Sequence, residues 1–136
     1  IIIYDIPGRS VIKMADETMA KLAENELIVG VKDATADLAR PTRLQNIIGE
    51  DLIQLSGEDG TALAYLAAGG HGCISVTANI APNLLSRMHN AWRQGDIETG
   101  QEINRKLMPL QDALFCETRP GPLKYAASLM AIISDR

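Results

Sequence analysis

Four short apolar runs, each ending in a polar cluster, constrain what this chain can fold into more than any other feature. They are Ile1–Ile3 before "YDIPGR", Ile28–Val31 before "KDAT", Leu52–Leu55 before "SGEDG" and Gly72–Val76 before "TANIAP". None alternates strictly between apolar and polar residues, and their starts lie roughly one strand plus one helix apart. Such runs fit parallel strands covered on both faces and joined by helical crossovers. "ADETMAKLAENE" predicts a helix with Asp16 as N-cap and Met19, Leu22 and Ala23 on one stripe. "LARPTRLQNIIGE" predicts another, with Pro41 in its first turn, Leu44, Ile47 and Ile48 as its apolar residues and Gly49 just past its end. "DGTALAYLAAGG" predicts a short helix closed by Gly69 and Gly70. Beyond the fourth run only helices are expected, over about 81–94, 96–116 and 120–132, with Pro109 kinking the middle one.

Strands alternating with helices define an α/β fold, either an open doubly wound sheet or part of a (β/α)8 barrel. Both gather function at the C-terminal ends of their strands, where this chain places its polar clusters. Four βα units are half a barrel, which alone would expose two strand edges and the inward apolar face. The division expected is residues 1–80, strands with intervening helices, and 81–136, the helical remainder.

The chain has 136 residues, 46% of them hydrophobic and 22% charged, enough for one folded domain. A net charge of −4 and the lack of a basic run argue against nucleic acid as partner. No run of about 18 apolar residues predicts a membrane span. No metal-ligand spacing links Cys73 and Cys116, which read as buried free thiols of a reducing compartment. With no signal peptide recognised, a cytoplasmic location is expected. The sequence starts without Met, inside an apolar strand, which suggests a piece of a longer protein.

"LIVGVKDAT" carries the sharpest chemical hint. Alternation puts Ile28, Gly30 and Lys32 on one face and turns Asp33 to the other. Gly30 would clear space below Lys32 for a small molecule. Apolar surroundings favour the neutral amine that attacks a carbonyl and forms a Schiff base. The alternative is a solvated lysine just past a strand. Tyr4 reads as a core aromatic or as a proton relay at the neighbouring strand end. Arg9, after the Pro7–Gly8 turn, reads as a surface residue or as a bidentate carboxylate ligand. His71 reads as a loop residue and His89 as a helix-surface residue; Trp92 and Phe115 read as packing residues.

Taken together, "YDIPGRS", "IVGVKDATADLAR", "LSGEDGTAL", "GGHGCISVTANIAP" and "LMPLQDALF" resemble, in order and spacing, the C-terminal half of the dihydrodipicolinate synthase family. Members are (β/α)8 barrels with extra C-terminal helices, usually homotetramers. The resemblance implies that these four strands are the fifth to eighth of a barrel. It makes Lys32 the residue that forms an imine with pyruvate, and Tyr4 a proton relay. It makes Arg9 the ligand of the aspartate semialdehyde carboxylate, Ile74 a backbone contact beside pyruvate and Gly57 part of the pocket. The implied activity is condensation of the two substrates in diaminopimelate and lysine synthesis, with no metal or organic cofactor. Arg9 favours this synthase over N-acetylneuraminate lyases, which generally lack that arginine; another pyruvate-dependent class I aldolase, an inactive half-barrel fragment and an anion-binding module at "SGEDG" are the alternatives. Asp5 stands where the family usually has Asn, and "ETRPGPLKYA" departs from the usual "EPNPIPVKWA". The family's "GTTGE" segment, with the threonine of the relay, is not in this chain.

Overall fold

In the computed structural model, which describes residues 1–134, four strands form one parallel sheet in the order β1-β2-β3-β4. They are β1 (Ile2–Asp5), β2 (Gly30–Asp33), β3 (Ile53–Ser56) and β4 (Gly72–Cys73). Helices α1 (Pro7–Ser10) and α2 (Asp16–Ala23) follow β1, α3 (Arg40–Ile48) follows β2 and α4 (Ala62–Ala67) follows β3. The fold is therefore α/β with a parallel sheet, as the apolar runs predict.

The first three strands lie further along the chain than their apolar runs. The first two end at Asp5 and Asp33, so Tyr4 and Lys32 belong to the strands rather than to the turns after them. The fourth run was expected to reach Val76, but β4 holds only Gly72 and Cys73. Tyr4 pairs with Lys32, and Asp5 with Asp33. Beyond the strands, the Ala34 N–H donates to Asp5 O at 2.9 Å and the Gly57 N–H to Asp33 O at 2.7 Å, which extends the ladder to the polar ends.

The two faces of the sheet differ. Met19, Val31, Leu44 and Leu52 form a buried cluster, with Ile3, Met14, Ala23, Ile28 and Ile48 packed against it. On the other face Ile2, Tyr4 and Ile53 are exposed. Asp16 does not cap α2, as the sequence suggested. Ala15 holds the N-cap and Asp16 is the first helical residue, because its carboxylate is engaged by two arginines. Leu22 and Ile47, expected among the apolar packing residues, are exposed.

The chain divides into two compact units, Ile1–Ile74 and the residues from Ser75 on. The second contains α5 (Pro82–Arg93), α6 (Ile97–Leu114) and α7 (Gly121–Leu129). The Asp96 side chain caps α6 by accepting from the Thr99 N–H at 3.1 Å. This helix continues through Pro109 and buries Ile103, Leu107, Gln111 and Leu114 at helical spacing. Ile80, Leu114 and Ala127 form the unit's apolar cluster, with Phe115 packed against it. Among the described residues, no helix is long and apolar enough to cross a membrane.

Candidate active site

Alternation along β1 and β2 sets Tyr4 and Lys32 side by side on the open face of one sheet rung. The Lys32 Nζ lies 3.9 Å from the centroid of the Tyr4 ring, a cation–π contact. Tyr4 is 47% exposed in this chain. Asp33, the next residue after Lys32, faces the helices and is only 3% exposed.

Gly30 needs a different explanation from the one its position suggested. A Cβ there would fall 2.6 Å from the Ile53 carbonyl oxygen, so glycine serves the close approach of β3 rather than a space beneath Lys32. Gly57 is buried, and a Cβ on it would lie 2.8 Å from the Ala34 Cβ. The Ile74 N–H donates to Ser56 O at 2.9 Å, and its side chain is exposed. Arg9 sits on α1, the one-turn helix that replaces the expected Pro7–Gly8 turn, and is open to solvent. Of the five residues singled out in the sequence, the structure brings Tyr4 and Lys32 into direct contact.

Cys73 is half-buried, and its Sγ lies 3.9 Å from Asp59 Oδ1. Burial and the adjacent Asp59 carboxylate push its thiol up to about 12, so it stays protonated at neutral pH. Cys116 is exposed rather than the buried thiol expected. His71 is exposed, and its Nδ1 accepts from the Gln54 N–H at 3.1 Å. Among the described residues, no group of three or more His, Cys, Asp or Glu is placed to hold a metal ion.

Sequence reasoning missed Arg40, whose side chain is 0% exposed. Its Nη1 donates to Asp5 Oδ2 at 2.6 Å, its Nε to Asp16 Oδ1 at 2.8 Å and its Nη2 to Met14 O at 2.9 Å. The Nη1 also lies 3.6 Å from Asp33 Oδ1. Burial works against this charge, but the Asp5 bond and the Asp33 and Asp16 carboxylates more than offset it and raise the guanidinium pKa. Alternation places Asp33 on the face opposite Lys32, but only the structure shows that this face is covered and that its carboxylate needs a cation.

The amine and the phenol thus pair at the C-terminal strand ends of a parallel sheet, the edge where α/β folds gather their sites. The chain belongs to the dihydrodipicolinate synthetase family, whose sequence model matches residues 1–136. It is 61% identical over 130 residues to the 4-hydroxy-tetrahydrodipicolinate synthase of Rhodospirillum centenum, covering 96% of this chain and 45% of that protein. It superposes on dihydrodipicolinate synthase from Aquifex aeolicus with a TM-score of 0.95 at 34% identity, covering 99% of this chain and 46% of that one. The chloride-inhibited dihydrodipicolinate synthase of Acinetobacter baumannii, solved with pyruvate, superposes with a TM-score of 0.92 at 38% identity, covering 98% of this chain and 46% of that one. The chain thus spans a little under half the length of the curated relatives it matches.

Proposed function

We propose that Lys32 forms an imine with pyruvate, and that the chain is the C-terminal half of a lyase-class synthase. That enzyme condenses pyruvate with aspartate semialdehyde on the route to diaminopimelate and lysine. The observation that carries this reading is the Lys32–Tyr4 pair, 3.9 Å apart on the open face of one rung. Family membership and the pyruvate-bound Acinetobacter baumannii neighbour support it.

The chemistry follows from the residues. The neutral Lys32 amine adds to the ketone carbon, and the carbinolamine oxygen takes a proton and leaves as water. The resulting iminium is the electron sink, so no metal or organic cofactor enters this reading. Loss of a methyl proton gives an enamine, whose carbon bonds to the aldehyde carbon while the aldehyde oxygen takes up a proton. The substrate amine then closes onto the imine carbon and expels the Lys32 amine. Tyr4, beside the reacting nitrogen, carries protons. Arg9 binds the second substrate's carboxylate in bidentate fashion, and the Ile74 backbone and Gly57 border pyruvate. The family resemblance makes the four strands the last four of an eight-stranded barrel, and the helices after residue 81 the last barrel helix and the appended C-terminal helices. On the family resemblance, the full-length protein is a cytoplasmic homotetramer.

The test of substrate choice is an assay of the full-length protein with pyruvate and a panel of aldehydes. Arg9→Ala should raise KM for aspartate semialdehyde on the order of 10- to 100-fold and leave uncharged aldehydes little changed. Equal effects on both would remove Arg9 as the carboxylate ligand. A second reading, favoured by the exposed Ile2, Tyr4 and Ile53, is that these four strands alone are inactive. It predicts a pyruvate adduct on the full-length protein but none on residues 1–136 alone.

A further inference from the structure

We propose that Arg40 is a positioning residue for the Lys32–Tyr4 pair, acting through the opposite face of the same two strands. The inference rests on Lys32 being the imine-forming amine. Asp5 and Asp33 are paired residues on neighbouring strands, each immediately after one member of the reactive pair. They are 4% and 3% exposed. Two buried carboxylates directly across from each other repel, and that repulsion would push the strand ends apart. The Arg40 Nη1 reaches both, at 2.6 Å to Asp5 and 3.6 Å to Asp33. Its other nitrogens bind Asp16 and the Met14 carbonyl, and the Met14 N–H in turn donates to the Asp5 carboxylate at 3.3 Å.

One planar side chain therefore fixes the end of β1, the start of α2 and the end of β2 together. Asp33 is held from a second direction, because its Oδ1 accepts from the Thr35 N–H at 2.9 Å and the Thr35 hydroxyl at 2.7 Å. The backbone that carries Asp5 also carries Tyr4, and the backbone that carries Asp33 also carries Lys32. Holding the two carboxylates in register holds the amine against the ring. A lysine at position 40 would keep the charge but not the fork, and could not reach Asp5, Asp16 and Met14 at once.

The test uses the full-length protein with Arg40→Gln and Arg40→Lys, each checked for folding by circular dichroism. Two readouts are taken. The first is the ring-current shift of the Lys32 side-chain carbons in 13C-lysine-labelled protein, assigned by its loss in Lys32→Ala. The second is the rate of pyruvate imine formation per Lys32 that borohydride can trap. Arg40→Gln should abolish the ring-current shift and slow imine formation per trappable site by about 10- to 100-fold. Arg40→Lys should show a smaller loss of both, and serves alone if the Gln variant does not fold. Adding Asp5→Asn to Arg40→Gln removes one of the opposed charges and should restore both readouts in part. A lowered melting temperature with the shift and the per-site rate at wild-type values would overturn the proposal, leaving Arg40 a purely stabilising residue. If the wild type traps no pyruvate on Lys32, the proposed function falls, and the ring-current shift still decides whether Arg40 sets the pair.

Discussion

On the helix side of β1 and β2, Asp5 and Asp33 are buried and tied to a fully buried guanidinium. On the open side, one residue earlier in each strand, Tyr4 and Lys32 meet by a single cation–π contact and remain accessible. The same two strands carry both arrangements because side chains alternate. The difference separates tasks: one face fixes geometry with interactions whose loss is costly, and the other presents reactive groups that contribute little to stability. Substitutions on the two faces should therefore have opposite signatures.

The largest effect is expected on the closed side. Arg40→Leu leaves buried carboxylates without their cation and should cost about 3–5 kcal/mol. Denaturant melts of the full-length protein would register this as an earlier midpoint at unchanged slope. On the open side, Tyr4→Phe keeps the ring against Lys32 and should leave the midpoint in place while slowing turnover by about 100-fold or more. Equal losses of stability from the two substitutions would erase the distinction between the faces.

Glycines sharpen the same contrast. Gly57→Ala forces a Cβ to within 2.8 Å of the Ala34 Cβ where the ends of β2 and β3 meet. It should cost about 1–3 kcal/mol. Gly8→Ala, on α1 with nothing within 4 Å of the new Cβ, should change stability by less than about 0.5 kcal/mol.

The smallest effect concerns the surface pairs around the cluster. Hydrogen bonds from Arg43 and then Lys13 hold the Asp37 carboxyl far below the usual range. Burial opposes the same shift at Asp16, but Arg43 and Arg40 still lower it. A depressed carboxyl adds stability above its unfolded pKa of about 3.9, and that stability is lost as pH falls toward the folded value. Melts should therefore lose stability below about pH 4. Arg43→Gln should flatten that acid slope, and added salt should weaken it, because the Arg43 side chain is solvent-exposed.

The sequence made the open face easier to read than the closed one. Period-two alternation is local, so Lys32 and Asp33 could be assigned to opposite faces from their order alone. The partner strand was also legible, because the apolar runs recur at the spacing of parallel units. Arg40 was not, since its partners Asp16 and Asp5 lie 24 and 35 residues away and nothing in "ADLARPT" marks a buried cation. The same gap explains Asp16, which has the residue type of an N-cap but gives its carboxylate to Arg40 and Arg43. Gly30 misled for a related reason: a missing side chain next to a candidate nucleophile suggested room, whereas the space is taken by the backbone of β3.

In the proposed reaction the Lys32 amine is the nucleophile. Full-length protein incubated with pyruvate, reduced with borohydride and mapped by peptide mass spectrometry tests it most directly. A single reduced pyruvate adduct is expected on the peptide containing Lys32, absent in a folded Lys32→Ala variant. An unmodified Lys32, or an adduct that persists in that variant, would contradict it.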